Sequence, residues 1–342
     1  MVMKMPAIPG QSPSENPEMP AAPAGPDKKK IISAAVNTLW IFLAVQFAAS
    51  LVLGLILGLI GGTGEALFGY GDGYGYAQFT ETISLLAATA AAGLAAIAYG
   101  SNHLHVKPRE DLEKKTFRSS WIFKGVCMTY TMSMVMSVIV QLINLIGEFF
   151  GFAVPSTVIP DNGSVFLRII NIVTVAILAP LFEELIFRGI LCKALARYNK
   201  GFAVVFTALI FALAHMNLDQ GIPVFGMGLV FGFVYLRSNS LWVTIAMHMI
   251  NNLIALIVQY SSSNFIVSMI FSILVIILAI AGVFFIVKER KEIGSMFRLS
   301  GQAKEEWSIT GHLVSFWLLV ALFVICSVMI ILAVSLFNFI YF

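Results

Sequence analysis

The chain reads as a succession of long apolar runs separated by short polar segments. Nine runs are candidate helices, at about 31–60, 79–99, 121–150, 164–198, 202–216, 222–237, 241–260, 263–287 and 312–341. Apolar runs of about 20 residues match a hydrocarbon core of roughly 30 Å. No stretch alternates with the period of a lipid-facing strand, which argues against a barrel. The predicted fold class is all-α, a polytopic integral membrane helix bundle of about eight to nine transmembrane helices. The fifth run is short for a crossing. The fourth is too long for a straight one, roughly 50 Å at the helical rise. Pro180 inside it predicts a kink or a split.

The segments between the runs divide the chain into an N-terminal tail (1–30), a first group of helices (31–150), a central core (164–260) and a last group (261–342). The tail holds seven prolines and little apolar mass, and reads as disordered. Residues 61–77 are rich in Gly and Tyr and are expected to form a flexible loop. Residues 100–119 read as a charged loop in which His103 and His105 are solvated, and 288–311 as a mixed-charge loop.

Composition supports the pattern. Of 342 residues, 59% are hydrophobic and 11% charged, against about 25% charged in soluble domains. A soluble enzyme is excluded, and no nucleic-acid partner is expected. Cys127, Cys192 and Cys326 are scattered without ligand spacing and suggest no disulfide framework.

Where the charges fall says more than their sum. If the N-terminus is cytoplasmic and the runs alternate, one side collects Lys28, Lys29, Lys30, the basic residues of 100–119, Lys124, Lys193, Arg197, Lys200, Arg237, Lys288, Arg290, Lys291, Arg298 and Lys304. The other side holds only Arg168. Basic residues concentrate in cytoplasmic loops, so a multi-pass cell-membrane protein with a cytoplasmic N-terminus is expected.

Three ionisable residues interrupt the fourth run: Glu183, Glu184 and Arg188, in the segment from Pro180 to Gly189. A charge at the centre of a membrane helix costs roughly 2.5–3.5 kcal/mol on insertion scales. Residues four apart share a helix face, so Glu184 and Arg188 read as a structural ion pair. Glu183 points elsewhere and has no partner at that spacing. Two further polar sites follow: His215, four residues after Phe211, and His248 with Asn252 on one face of the seventh run. Asn251 lies near that face. Intramembrane ionisable groups normally face a bundle interior or a wet cavity. Counting residues inward places these groups in one mid-membrane cavity, expected to open to the cytoplasm.

The ordered pattern EExxxR, FxxxH and HxxxN resembles the CPBP family, the CAAX proteases and bacteriocin-processing enzymes also called Abi proteins. It is carried here by Glu183-Glu184-Leu-Ile-Phe-Arg188, Phe211-Ala-Leu-Ala-His215 and His248-Met-Ile-Asn-Asn252, within about 164–260. The resemblance implies an intramembrane endopeptidase acting on a membrane-associated peptide or protein, with membrane lipid as its surroundings. It implies that Glu183 and His215 activate water and that His248 and Asn252 form the oxyanion hole, with Phe211 as motif packing. Glu183, His215 and His248 could instead form a His₂Glu zinc site. HExxH is absent, so a metal-independent glutamate mechanism is favoured, with no cofactor and zinc as the alternative. Competing readings are a proton-coupled transporter and a non-catalytic scaffold in immunity or signalling.

Overall fold

A computed structural model describes residues 27–68, 73–113, 119–156 and 164–341. Most of the N-terminal tail therefore lies outside the described residues. The chain is an all-α bundle of α1 (Lys28–Phe68), α2 (Gly73–Leu104), α3 (Arg109–Leu112), α4 (Ser120–Phe149), α5 (Val165–Leu195), α6 (Lys200–Leu213), α7 (Leu218–Ser238), α8 (Leu241–Tyr260), α9 (Phe265–Lys288), α10 (Arg290–Gln302), α11 (Lys304–Gly311) and α12 (Val314–Tyr341). Eight of these are long and apolar enough to cross a membrane. The ninth candidate, α6, has 14 residues, about 21 Å of helix, and is shorter than the hydrocarbon core.

Four sequence expectations change. The charged loop expected over 100–119 shortens, since α2 runs to Leu104 and α3 forms within it. Residues 61–68 continue α1 and 73–77 begin α2, so the Gly-rich loop contracts. Lys28–Lys30 form the first turn of α1 rather than the end of a tail. The segment 288–311 folds into α10 and α11 instead of a loop. In α10, Ile293, Met296 and Ser300 recur at helical spacing and are the less exposed positions. Gly201 of α6 approaches the α10 backbone at Met296 and Ser300 so closely that a Cβ would overlap it. Trp307 of α11 packs edge-on to Phe202 at 4.7 Å. His103 is exposed, stacked on Tyr99 and bonded to its carbonyl at 2.9 Å.

Pro180 neither breaks nor ends α5. Proline removes one backbone donor and crowds the carbonyl four residues back. Here the backbone is π-helical over Val173–Leu178, α-helical over Ala179–Glu184 and π-helical again over Leu185–Cys192. The wider π turns take up the disturbed hydrogen-bond pattern on either side. Such turns inside α-helices occur frequently at functional sites.

One end of the bundle gathers the basic residues and is tightly closed. Asp111 of α3 is 1% exposed. It takes the Lys193 ammonium at 2.8 Å and the Tyr235 hydroxyl at 3.1 Å. Trp242 donates to the Leu112 carbonyl, and Arg197 to that of His105. Lys28 pairs with Glu306 at 3.1 Å, and Asn199 donates to the Leu299 carbonyl. Beneath this layer, Phe187, Ile190, Leu191, Cys192 and Leu195 are fully buried.

Candidate active site

Glu183 and Glu184 are adjacent, yet the structure treats them differently. Glu184 is completely buried and its Oε1 accepts from Arg188 Nη1 at 2.9 Å and from His248 Nδ1 at 3.0 Å. Arg188 is also completely buried. Its guanidinium lies 4.7 Å from the Phe211 ring centre and 5.1 Å from that of Phe231, and it donates to the Gly228 carbonyl at 3.3 Å. Two aromatic faces, a carboxylate and a carbonyl thus replace part of its hydration, while its Nε has no hydrogen-bond partner among the described residues. Gly228 packs against Ala208 on the neighbouring helix, where a Cβ would overlap its backbone. Small residues let α6 and α7 approach closely.

The Glu183 side chain is 19% exposed and lines a cavity of about 570 Å³. His215, His248, Asn251 and Asn252 line the same cavity. His248 Nε2 lies 3.6 Å from Glu183 Oε2. His248 therefore stands between the two glutamates, with one ring nitrogen toward each. Its Nδ1 is tied to Glu184, and the rings of Phe211 and Phe231 pack against it at 5.9 and 5.2 Å.

His215 follows the last turn of α6. Its Nδ1 lies 3.0 Å from the Phe211 carbonyl, which requires that nitrogen to carry the proton and leaves the Nε2 lone pair available. Asn217 holds the turn: its side chain donates to the His215 carbonyl at 2.8 Å and accepts from Gln220 N at 2.8 Å. Asn217 and Gln220 have the spacing of a helix N-cap and its third residue, a signal present in the sequence. Among the described residues, no hydrogen bond or ion pair joins His215 to Glu183; the imidazole nearest Glu183 is that of His248.

Asn252 Nδ2 donates to the carbonyl of Val175 at 2.9 Å, and Asn251 Nδ2 reaches Asn252 Oδ1 at 3.3 Å. Val175 lies in the first π-helical turn. Asn252 thus binds a carbonyl of the π turn, and Asn251 fixes which end of the Asn252 amide faces it. A second N–H remains on Asn252. Sequence reading left Asn251 without a task and did not find Gln46, Thr89, Ser133 or Asp219, which also line the cavity.

Among the described residues, no three His, Cys, Asp or Glu side chains converge as a metal site. Glu183 and His248 Nε2 approach to 3.6 Å, and no ion pair joins His215 to either among the described residues.

These residues fall in the part of the chain that comparison with known proteins recognises. Residues 165–254 match the family described as Type II CAAX prenyl endopeptidase Rce1-like. This segment is thus similar to that family, in the region where the three motifs lie. Over 89 residues the chain is 35% identical to the putative membrane peptidase YdiL of Bacillus subtilis, covering 26% of this chain and 36% of that one. Over 93 residues it is 40% identical to the membrane-embedded CAAX protease MroQ of Staphylococcus aureus, covering 25% and 37%. The matches thus span little more than a third of either relative. No solved structure matches.

Proposed function

We propose that the protein is an intramembrane endopeptidase hydrolysing a peptide bond of a membrane-associated peptide or protein, with Glu183 as the general base. The observation that carries this reading is the convergence of Glu183, His215, His248 and Asn252 from three helices on one cavity. Peptide hydrolysis needs a base, a water, and donors for the oxygen that becomes negative. Glu183 takes a proton from water as the water oxygen bonds to the carbonyl carbon. The lone pair on His215 Nε2 is a second acceptor that orients this water. The protonated carboxyl of Glu183 then gives its proton to the departing amine as the C–N bond breaks.

His248 and Asn252 supply the donors for the oxyanion. In its doubly protonated form His248 donates from Nε2 while Glu184 holds Nδ1. The chain Arg188, Glu184, His248, Glu183 then alternates in sign and sums to zero. Asn252 adds its remaining N–H. Residues 164–260 are the catalytic core on this reading, and the flanking helices form its membrane frame. The surplus of basic residues at the closed end supports a cytoplasmic position for that end, and for the N-terminus, in a cell-membrane protein.

The test is cleavage of a lipid-embedded peptide library by the purified protein and by Glu183→Ala, each with and without a chelator. Cleavage that is lost in the variant and retained with chelator is expected. Loss on chelation with recovery on adding zinc would move Glu183 into a ligand role. Proton flux without cleavage in the same vesicles would favour a transporter.

A further inference from the structure

From Glu183 and His248 the cavity reaches about one turn toward the basic end, to Phe187, and much farther the other way. Twelve residues, about 18 Å of helix, separate Glu183 from Leu195 at the basic end. Gln46, Leu85, Thr174 and Asp219 line the cavity farther out, and lie roughly 27–32 Å along their helices from the same end. Ser133 and Gln220 line it as well. Between the site and the basic end, by contrast, the core is solid. Ile190, Leu191 and Cys192 are fully buried, and the α3 segment closes over them through Asp111, Lys193 and Tyr235. Even Gly189 is covered, since an added Cβ would press on Pro108 and Leu241.

The length of α6 fits this asymmetry. It starts at the basic end and stops after about 21 Å, while α4, α5 and α7 on either side run longer. His215 follows its last turn, so the cavity reaches beyond the end of α6. Asp219 and Gln220 line that outer part of the cavity.

We infer that the cavity is entered from the membrane face opposite the basic end. With the basic end cytoplasmic, the site meets peptide segments in the outer half of the bilayer or at the outer surface, not tails presented from the cytoplasm. This reverses the expectation of a cytoplasmic opening. The substrate class rests on the peptidase reading; the direction of entry does not.

Cysteine accessibility tests it without depending on cleavage. In a Cys326→Ser background, which retains the buried Cys127 and Cys192, Ser133→Cys and Gln220→Cys report on the cavity and Lys291→Cys on the basic end. Each is treated with a membrane-impermeant maleimide in right-side-out and in inverted vesicles. The expected result is labelling of the two cavity cysteines only in right-side-out vesicles and of Lys291→Cys only in inverted ones. Labelling of cavity and basic-end cysteines from the same side would overturn the inference, as would cavity labelling only in inverted vesicles or from neither side. A cleavage-dead protein with the expected labelling would sink the peptidase reading and leave the entry direction standing.

Discussion

The two halves of the bundle, divided at the level of Glu183 and His248, handle polar side chains in opposite ways. In the half toward the basic end, buried charges are matched: Arg188 with Glu184 and two aromatic rings, Asp111 with Lys193 and Tyr235. In the other half, Gln46, Thr89, Ser133, Asp219 and Asn251 face an open volume. One half uses polarity to lock helices together and the other to wet a cavity. Glu183 and Glu184 stand on either side of the boundary. That position, rather than residue type, leaves one carboxylate locked in a buried pair and the other facing the cavity.

The contrast predicts that substitutions in the open half lower the rate and spare the fold, and that those in the closed half do the reverse. Glu183→Gln tests it most severely. Loss of a general base costs on the order of 10²–10⁴ in rate, and the thermal midpoint in detergent should stay close to that of the parent. A large drop in that midpoint would place Glu183 in the closed half. Arg188→Ala leaves Glu184 buried without its cation, and breaking such a pair costs about 3–5 kcal/mol. The expected outcome is poor recovery of folded protein and a much lower midpoint. An Arg188→Ala protein of parental stability would contradict the lock.

Asn251→Ala sharpens the comparison at smaller scale. Losing one hydrogen bond worth about 0.5–1.5 kcal/mol should loosen the Asn252 amide and lower kcat roughly 2–10-fold, with KM and stability unchanged. A change in KM alone would make Asn251 a substrate contact instead. Least of all should happen with Arg109→Ala, which removes the exposed pair to Glu113 on α3. Exposed i,i+4 pairs contribute about 0.3–0.5 kcal/mol. Urea midpoints of the two proteins should be nearly indistinguishable; a large shift would mean the cap on the closed half depends on this surface pair.

How much of this was legible depended on distance along the chain. The four-residue spacing of Glu184 and Arg188 places them on one face, as it does His248 and Asn252, and the structure pairs the former at 2.9 Å. The approach of His248 to Glu183 joins residues 65 apart in sequence and follows only from how α8 packs on α5. The π turns around Pro180 have no counterpart in an apolar pattern, because in a helix buried on several sides the face hardly constrains the period. The helices at 288–311 were hidden by their charge, although Ile293, Met296 and Ser300 carried the spacing of a buried stripe. The direction of the cavity was not readable from depth alone, since residue counts locate a site along the membrane normal without saying which side is filled.

The central claim is that Glu183 delivers water to the scissile carbonyl. A single turnover of peptide cleavage by the protein in vesicles, run in ¹⁸O-water, tests it most directly. The account predicts one ¹⁸O atom in the new C-terminal carboxylate and none in Glu183, both read by mass spectrometry. Label in Glu183 and none in the product would mean that the carboxylate attacks the peptide itself, and absence of cleavage would contradict the peptidase reading altogether.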